Sequence, residues 1–154
     1  MEHIIDPIYY QDFILSGKPE FTLRSLKTGR EEIFVVKKAK VENLYWVNNR
    51  LRDYLGKLCL SPHAIEDIWI FDQKIKDMSI YEADQIKIFI WFWVNLMKGI
   101  HNPLLRNLQV INHTGRCGHC HRELTHPESI PIGIGPDCFK KLGLTHKTLV
   151  NSSP

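Results

Sequence analysis

Two runs between Phe21 and Lys40 can be read with a period of two on either side of a short polar break. Phe21, Leu23 and Ser25 alternate with Thr22 and Arg24, and Ile33, Val35 and Lys37 alternate with Phe34 and Val36. That period belongs to a β-strand. Lys27-Thr28-Gly29-Arg30 lies between the two runs, and Gly29 is free to take φ > 0, so the pair predicts a β-hairpin. Lys37, Lys38 and Lys40 mark the solvated end of its second strand. "NLYWVNNRL" and "DYLGKLCL" predict a further strand pair with a polar link, and "IEDIWIFDQKI" another strand. Ahead of the hairpin, Ile8 to Leu15 is amphipathic over one or two helical turns and ends at Ser16-Gly17.

The pattern changes at Ser79. Ser79 is a good N-cap, and Glu82 three residues later completes a capping-box signature. The spacing predicts a helix from about 80 to 98, stopped by Gly99. Its second half, "IKIFIWFWVNLM", is apolar on nearly all sides, as in a helix covered on several faces or docked on a partner. Trp91 and Trp93 are two apart and cannot share a helix face. Unless the cover is wide, one of them marks an interface, so both are candidate partner-binding residues. His101-Asn102-Pro103 breaks the helix, "NLQVINH" predicts a strand, and the tail from 144 to 154 is polar with the character of a frayed end.

These elements predict an α+β fold: a small antiparallel β-sheet packed on one long apolar helix, followed by a compact zinc-ribbon-like module. The expected division is residues 1–100 for the sheet and helix, 101–143 for the module and 144–154 for a flexible tail. The length of 154 residues suits one domain with a small appendage. No secretory signal is visible at Met1 to Asp6, and the near-apolar run Ile86 to Met97 is too short to span a bilayer. The expectation is a soluble cytoplasmic protein with no membrane partner.

In such a compartment four cysteines point to metal rather than disulfides. Three of them fall in "RCGHCHRELTHPESIPIGIGPDC". Cys117 and Cys120 enclose Gly118-His119, a knuckle that turns both sulfurs towards one ion. Seventeen residues lie between Cys120 and Cys138, within the range for the second half of a zinc site. Gly133 and Gly135 supply unusual backbone angles, and Pro136 suits the first position of a helix, which puts Cys138 in its first turn. The helix dipole there favours a thiolate. A fourth ligand is needed. His119 lies inside the knuckle and His121 directly follows Cys120. His113, at the end of a predicted strand, is favoured by spacing over His126 in the loop. Cys59, between two leucines, has the setting of a buried inert thiol. His63 follows Pro62 with no visible partner.

"FILSGKPEFTLRSLKTGREEIFVVKKAK", "DYLGKL", "IFIWFWVNL" and "NHTGRCGHCHRELTHPESIPIGIGPDC" together resemble a family of small proteins of unknown function from phages and other mobile elements. That family carries His-x-Gly-x-Cys-x-x-Cys-Gly-Arg-x-Leu-Thr-x-Pro-x-Ser-Ile, ending Gly-Ile-Gly-Pro-x-Cys. The resemblance places its cysteines on Cys117, Cys120 and Cys138 and its histidine on His113, displaced by one position. It implies one structural Zn²⁺. Two departures are His121 where the family has Gly, and a shorter loop between Tyr45 and "DYLG".

A Cys₃His site with every position filled is structural rather than catalytic. His121-Arg122-Glu123 has the His-x-Glu of zinc deaminases, but the Cys-x-x-Cys comes first and only one cysteine follows. "THPES" faintly resembles His-Asn-His nucleases, without the acidic partner beside His126 or the later Asn. "IPIGIGPDCFKKLG" is similar to a phosphate-binding Gly-x-Gly hairpin, although the same glycines also serve to present Cys138. No nucleophile–base set appears, so the expectation is no enzyme.

From Lys98 onward there are seven Lys/Arg against three acids. Arg116, Arg122, Lys140 and Lys141 are the candidate nucleic-acid-binding residues. The expected function is a non-enzymatic zinc-binding adaptor or regulator that binds nucleic acid. The alternative is a protein-binding effector acting on a host protein complex, a defence or transcription machine. A metal-dependent nuclease ranks below both.

Overall fold

The computed structural model describes residues 2–61 and 68–147. Its strands are β1 (His3–Ile4), β2 (Glu20–Ser25), β3 (Glu31–Lys38), β4 (Leu44–Asn49), β5 (Tyr54–Leu60), β6 (Trp69–Gln73) and β7 (Leu108–Asn112). They form one antiparallel sheet in the order β1-β7-β2-β3-β4-β5-β6. From β2 to β6 each strand lies beside its predecessor, as short connections dictate. The β2–β3 turn is closed by the Gly29 N–H on the Ser25 carbonyl at 2.9 Å, with Gly29 at φ +74°. Strand β7 returns from far along the chain to sit between β1 and β2, with Leu23 opposite Val110 and Ile4 opposite Ile111.

One face of the sheet is covered by α1 (Tyr10–Ile14) and α2 (Ile80–Met97). Asp6 caps a 3₁₀ turn at Pro7–Tyr9 that leads into α1. Ser79 accepts the Glu82 N–H at 3.0 Å, and Gly99 at φ +115° ends α2. The buried residues of α2 are Gln85, Ile86, Phe89, Phe92, Trp93, Asn95 and Leu96, and all but Asn95 fall into one stripe spaced by three and four residues. Phe89 sits at its centre, with ring centroids 5.3 Å from Phe34, 4.8 Å from Phe71 and 6.1 Å from Trp93. Gln85 accepts from Asn49 at 3.1 Å and donates to Glu32 at 3.1 Å, which satisfies a buried polar group on each side.

The α+β class holds, but its proportions need correcting. The sheet is large, with seven strands, and the 18-residue α2 covers part of one face rather than forming the platform for a small sheet. The pairing of Trp91 with Trp93 is corrected as well. Trp93 is core, 1% exposed, and its Nε1 donates to the Trp69 carbonyl at 2.7 Å. Trp91 is 41% exposed.

The expected boundary at residue 100 does not divide the packing. Cys117, Leu124, Ile132, Ile134, Cys138 and Phe139 belong to the same apolar cluster as Phe13, Phe21 and Phe89. Residues 144–147, expected to be flexible, dock on α1. Lys147 N–H donates to Tyr9 Oη at 2.7 Å, Lys147 Nζ lies 2.7 Å from Asp12, and the His146 ring packs on Phe139 at 4.6 Å. His63 and residues 148–154 lie outside the described residues.

The two tryptophans separate experimentally. Trp93→Ala is expected to lower the unfolding free energy by about 3–5 kcal/mol, because it opens a cavity and orphans the Trp69 carbonyl. Trp91→Ala should cost no more than about 1 kcal/mol. Urea unfolding of the two variants checks both values, and equal losses would contradict this packing.

Candidate metal centre

The centre is built outward from the end of β7. Asn112 closes the following turn: its Nδ2 donates to the Arg116 carbonyl at 2.8 Å and its Oδ1 accepts from Thr114 at 3.0 Å. Gly115 takes φ +67° there. The chain then folds into a tight hairpin whose tip is Cys117 to Cys120. The Cys117 N–H donates to the Arg122 carbonyl at 2.8 Å, the His121 N–H to the Cys117 carbonyl at 3.0 Å, and Arg116 bridges Glu123. This hairpin requires a left-handed backbone at residue 121, where φ is +63°. Glycine adopts that conformation without penalty, whereas histidine costs on the order of 1 kcal/mol. His121 Nε2 lies 2.7 Å from the Lys18 carbonyl, and that hydrogen bond offsets part of the cost.

Two glycines let the hairpin approach the rest of the fold. A Cβ on Gly133, at φ +77°, would lie 2.3 Å from Phe13 Cδ1, and one on Gly118 would lie 2.3 Å from Ser16 Oγ. The Gly118 N–H donates to the Gly133 carbonyl at 2.9 Å, joining the knuckle to the turn that leads into the helix carrying the third cysteine. Pro136 opens the short helix α3 (Pro136–Lys141), which puts Cys138 in its first turn.

Cys117, Cys120 and Cys138 converge, with their sulfurs all within 4.8 Å of one another. Cys117 and Cys138 are buried and Cys120 is exposed. Cys117 Sγ accepts the His119 N–H at 3.4 Å and the Gly135 N–H at 3.3 Å. The Gly135 amide is thus directed at a sulfur, which accounts for the Gly-Ile-Gly-Pro segment without a phosphate. Burial, hydrogen bonding to Cys120 and the charge of Cys117 push the Cys138 thiol up to about 12. At Cys120 burial also acts to raise the pKa, but hydrogen bonds from the Arg122 N–H, Cys138 and Cys117 hold it below the ordinary thiol range. Ionising one of these sulfurs therefore opposes ionising its neighbour, an opposition that a cation among them would relieve. Soft thiolates on a tight knuckle suit Zn²⁺.

The histidines distribute differently from expectation. His113 is not with the sulfurs: its Nδ1 is 2.9 Å from Thr22 Oγ1 and its Nε2 2.7 Å from Glu20 Oε2. Both ring nitrogens are held by β2, and neither is left for an ion. His119 is turned inward, its Nδ1 3.3 Å from Cys138 Sγ. The residue order gave no sign of this. The space for the ring comes from Gly17, where a Cβ would meet His119 Cδ2 at 3.3 Å. His126 lines an open cleft of about 330 Å³ together with the three cysteines, Glu123 and Asp137. Among the described residues no fourth His, Cys, Asp or Glu donor joins the cluster. Cys59, expected to be buried, is half-buried on β5 and outside the cluster.

Arg122 and Lys141 line the same cleft, Lys140 is exposed, and Arg116 Nη1 donates to the His121 carbonyl at 3.0 Å. None of these four forms a salt bridge among the described residues. No described helix is long and apolar enough to cross a membrane.

The model of one protein family, described as "Family of unknown function (DUF6011)", matches residues 109–143. No curated protein and no solved structure matches the chain. The matched span starts inside β7, ends two residues after α3, and contains the knuckle, Gly133 and all three clustered cysteines.

Proposed function

We propose that the protein is a non-enzymatic zinc-binding adaptor whose metal centre fixes a basic surface for nucleic acid. The convergence of three sulfurs within 4.8 Å carries the metal half of this reading. In it, Cys117, Cys120 and Cys138 hold the ion as thiolates, and His126 closes the shell from the cleft in place of the tied-up His113. A bound zinc neutralises the mutual repulsion of the thiolates and locks the knuckle to α3. Arg116, Arg122, Lys140 and Lys141, which form no salt bridge among the described residues, are then available around the hairpin to phosphates.

A second reading has its own observation. Trp91 lines a groove of about 450 Å³ between the β2–β3 hairpin and α2, with Leu23 and Leu104 in its wall and Lys27 and Lys87 at its edge. Exposed tryptophan in a concave apolar site is a common anchor for a protein partner, which favours the effector reading.

The zinc assignment is checked by metal analysis and by the absorption of the cobalt-substituted full chain, where thiolate charge-transfer bands are expected. His126→Ala should weaken zinc binding by more than the roughly 10–100-fold typical of outer-shell partners, while His113→Ala leaves the cobalt spectrum unchanged. The reverse result restores His113 as the ligand. Protons compete for the same sulfurs, so zinc affinity should fall as the pH falls and rise as it rises, with protons released on binding. A pH-independent affinity would remove the thiolates from the site.

For the surface, charge reversal at Arg116, Arg122, Lys140 and Lys141 should abolish gel-shift binding of DNA or RNA at low salt while zinc is retained. Unchanged binding would clear those four residues of the role.

A further inference from the structure

We propose that the face of the sheet turned away from α1 and α2 binds single-stranded nucleic acid, with Trp46 and Tyr54 as its base-stacking platform and Lys37 and Lys57 beside them for the phosphates. The inference rests on the nucleic-acid reading above and assigns it a surface that the cysteine segment does not contain.

Strand β4 alternates strictly. Tyr45 and Val47 are buried in the core, which turns Trp46 to the open face. Trp46 is 38% exposed and Tyr54 37%, and their rings meet edge to face with centroids 5.9 Å apart. Across the ladder, Trp46 is paired with Lys37 on β3 and with Lys57 on β5, so a cation flanks the indole on each side. Lys37 has no ion-pair partner among the described residues, and Lys57 has only Asp72 at 3.9 Å, both side chains being well exposed. A contact of that length in water holds neither group firmly.

Packing alone accounts for part of this. Cross-strand lysine–aromatic pairs stabilise a sheet by a few tenths to about 1 kcal/mol. That does not require two large aromatic rings side by side on a solvated face, where polar residues ordinarily stand. Of the surfaces that would cover them, another protein suits the rings but leaves the two lysines that flank the indole unanswered. A duplex fits poorly too, because its base faces are stacked away. A single strand offers both flat faces for the rings and phosphates for the lysines.

The backbone joins this face to the metal hairpin. The Lys18 N–H donates to the Gly118 carbonyl at 2.9 Å, and the Lys38 N–H donates to the Gly17 carbonyl at 2.6 Å. The knuckle, the loop after α1 and the end of β3 are thereby fastened in sequence. Lys18 and Lys38 are exposed along that seam with no acidic partner among the described residues.

The test is fluorescence anisotropy with the zinc-loaded full chain and a labelled oligothymidylate of about twenty nucleotides, long enough for one such site. A duplex of equal length is the comparator. The single strand should bind more tightly than the duplex. Trp46→Ala and Tyr54→Ala should each weaken it about five- to hundredfold, and Trp46→Phe should retain most of the affinity. Lys37→Gln combined with Lys57→Gln should reduce the salt-dependence slope by about 1.4. Unfolding midpoints and zinc content establish that each variant is intact.

If intact Trp46→Ala and Tyr54→Ala bind as the parent does, the sheet face is not the site. Loss of that same binding on charge reversal at Arg116, Arg122, Lys140 and Lys141 would then leave the nucleic-acid reading standing on its original surface. If the parent chain binds neither strand form at low salt, both readings fall together.

Discussion

The approach of two peptide backbones to the ring of Phe13 is the contact on which the rest of the structure depends. Phe13 is fully buried and sits edge-on to Phe21 of the sheet at 6.1 Å. On its other side are Gly133 and Gly118, at distances where a Cβ would lie 2.6 Å or less and 3.2 Å from its Cε1. The ring is thus shared between the sheet and the cysteine hairpin. It is what makes one core out of an element order that looks like a domain followed by an appendage. An alanine at 133 would have to displace an aromatic ring and also hold a φ of +77°, two costs that add at the same point.

From that contact the metal centre follows by short steps. Gly118 hands its N–H to the Gly133 carbonyl, which aligns the knuckle with the turn leading into α3, and the Gly135 amide reaches back to Cys117 Sγ. The three sulfurs are brought together by backbone geometry rather than by mutual attraction. Their electrostatics oppose the arrangement, since one thiolate raises the pKa of the next. A cluster whose sulfurs oppose one another's ionisation is an arrangement that a cation completes. The free energy of binding that cation is also folding free energy for a hairpin fastened to the core.

Local signals in the chain were legible where the chain itself sets the structure. The alternation around Gly29 gave β2 and β3, Ser79 with Glu82 gave the start of α2, and Pro136 gave the helix that presents Cys138. What could not be read came from contacts across long separations. His113 looked like a ligand because it ends a strand four residues before Cys117. Its nitrogens are taken by Thr22 and Glu20, some ninety residues earlier, only because β7 is inserted beside β2. The same insertion made the sheet larger than expected. Trp91 and Trp93 look alike in an all-round apolar helix, and the side of α2 that meets the sheet, where Trp93 packs on Phe89 and reaches the Trp69 carbonyl, decides which is buried. At His121 the departure from glycine was visible, but its meaning required the φ of +63° and the Lys18 carbonyl that receives the ring.

The seven-stranded sheet also explains why a zinc hairpin would carry so much structure with it. Strand β7 borders both β1 and β2, and its last residue, Asn112, pins the turn into Cys117. Opposite that turn, His121 and Gly118 hold Lys18, and Gly17 holds the end of β3. The hairpin is therefore tied to the sheet at both ends of the same interface, through β7 on one side and the loop after α1 on the other. A rigid tie at two points fixes orientation as well as distance. It sets how the cysteine hairpin stands against β7 and the loop after α1.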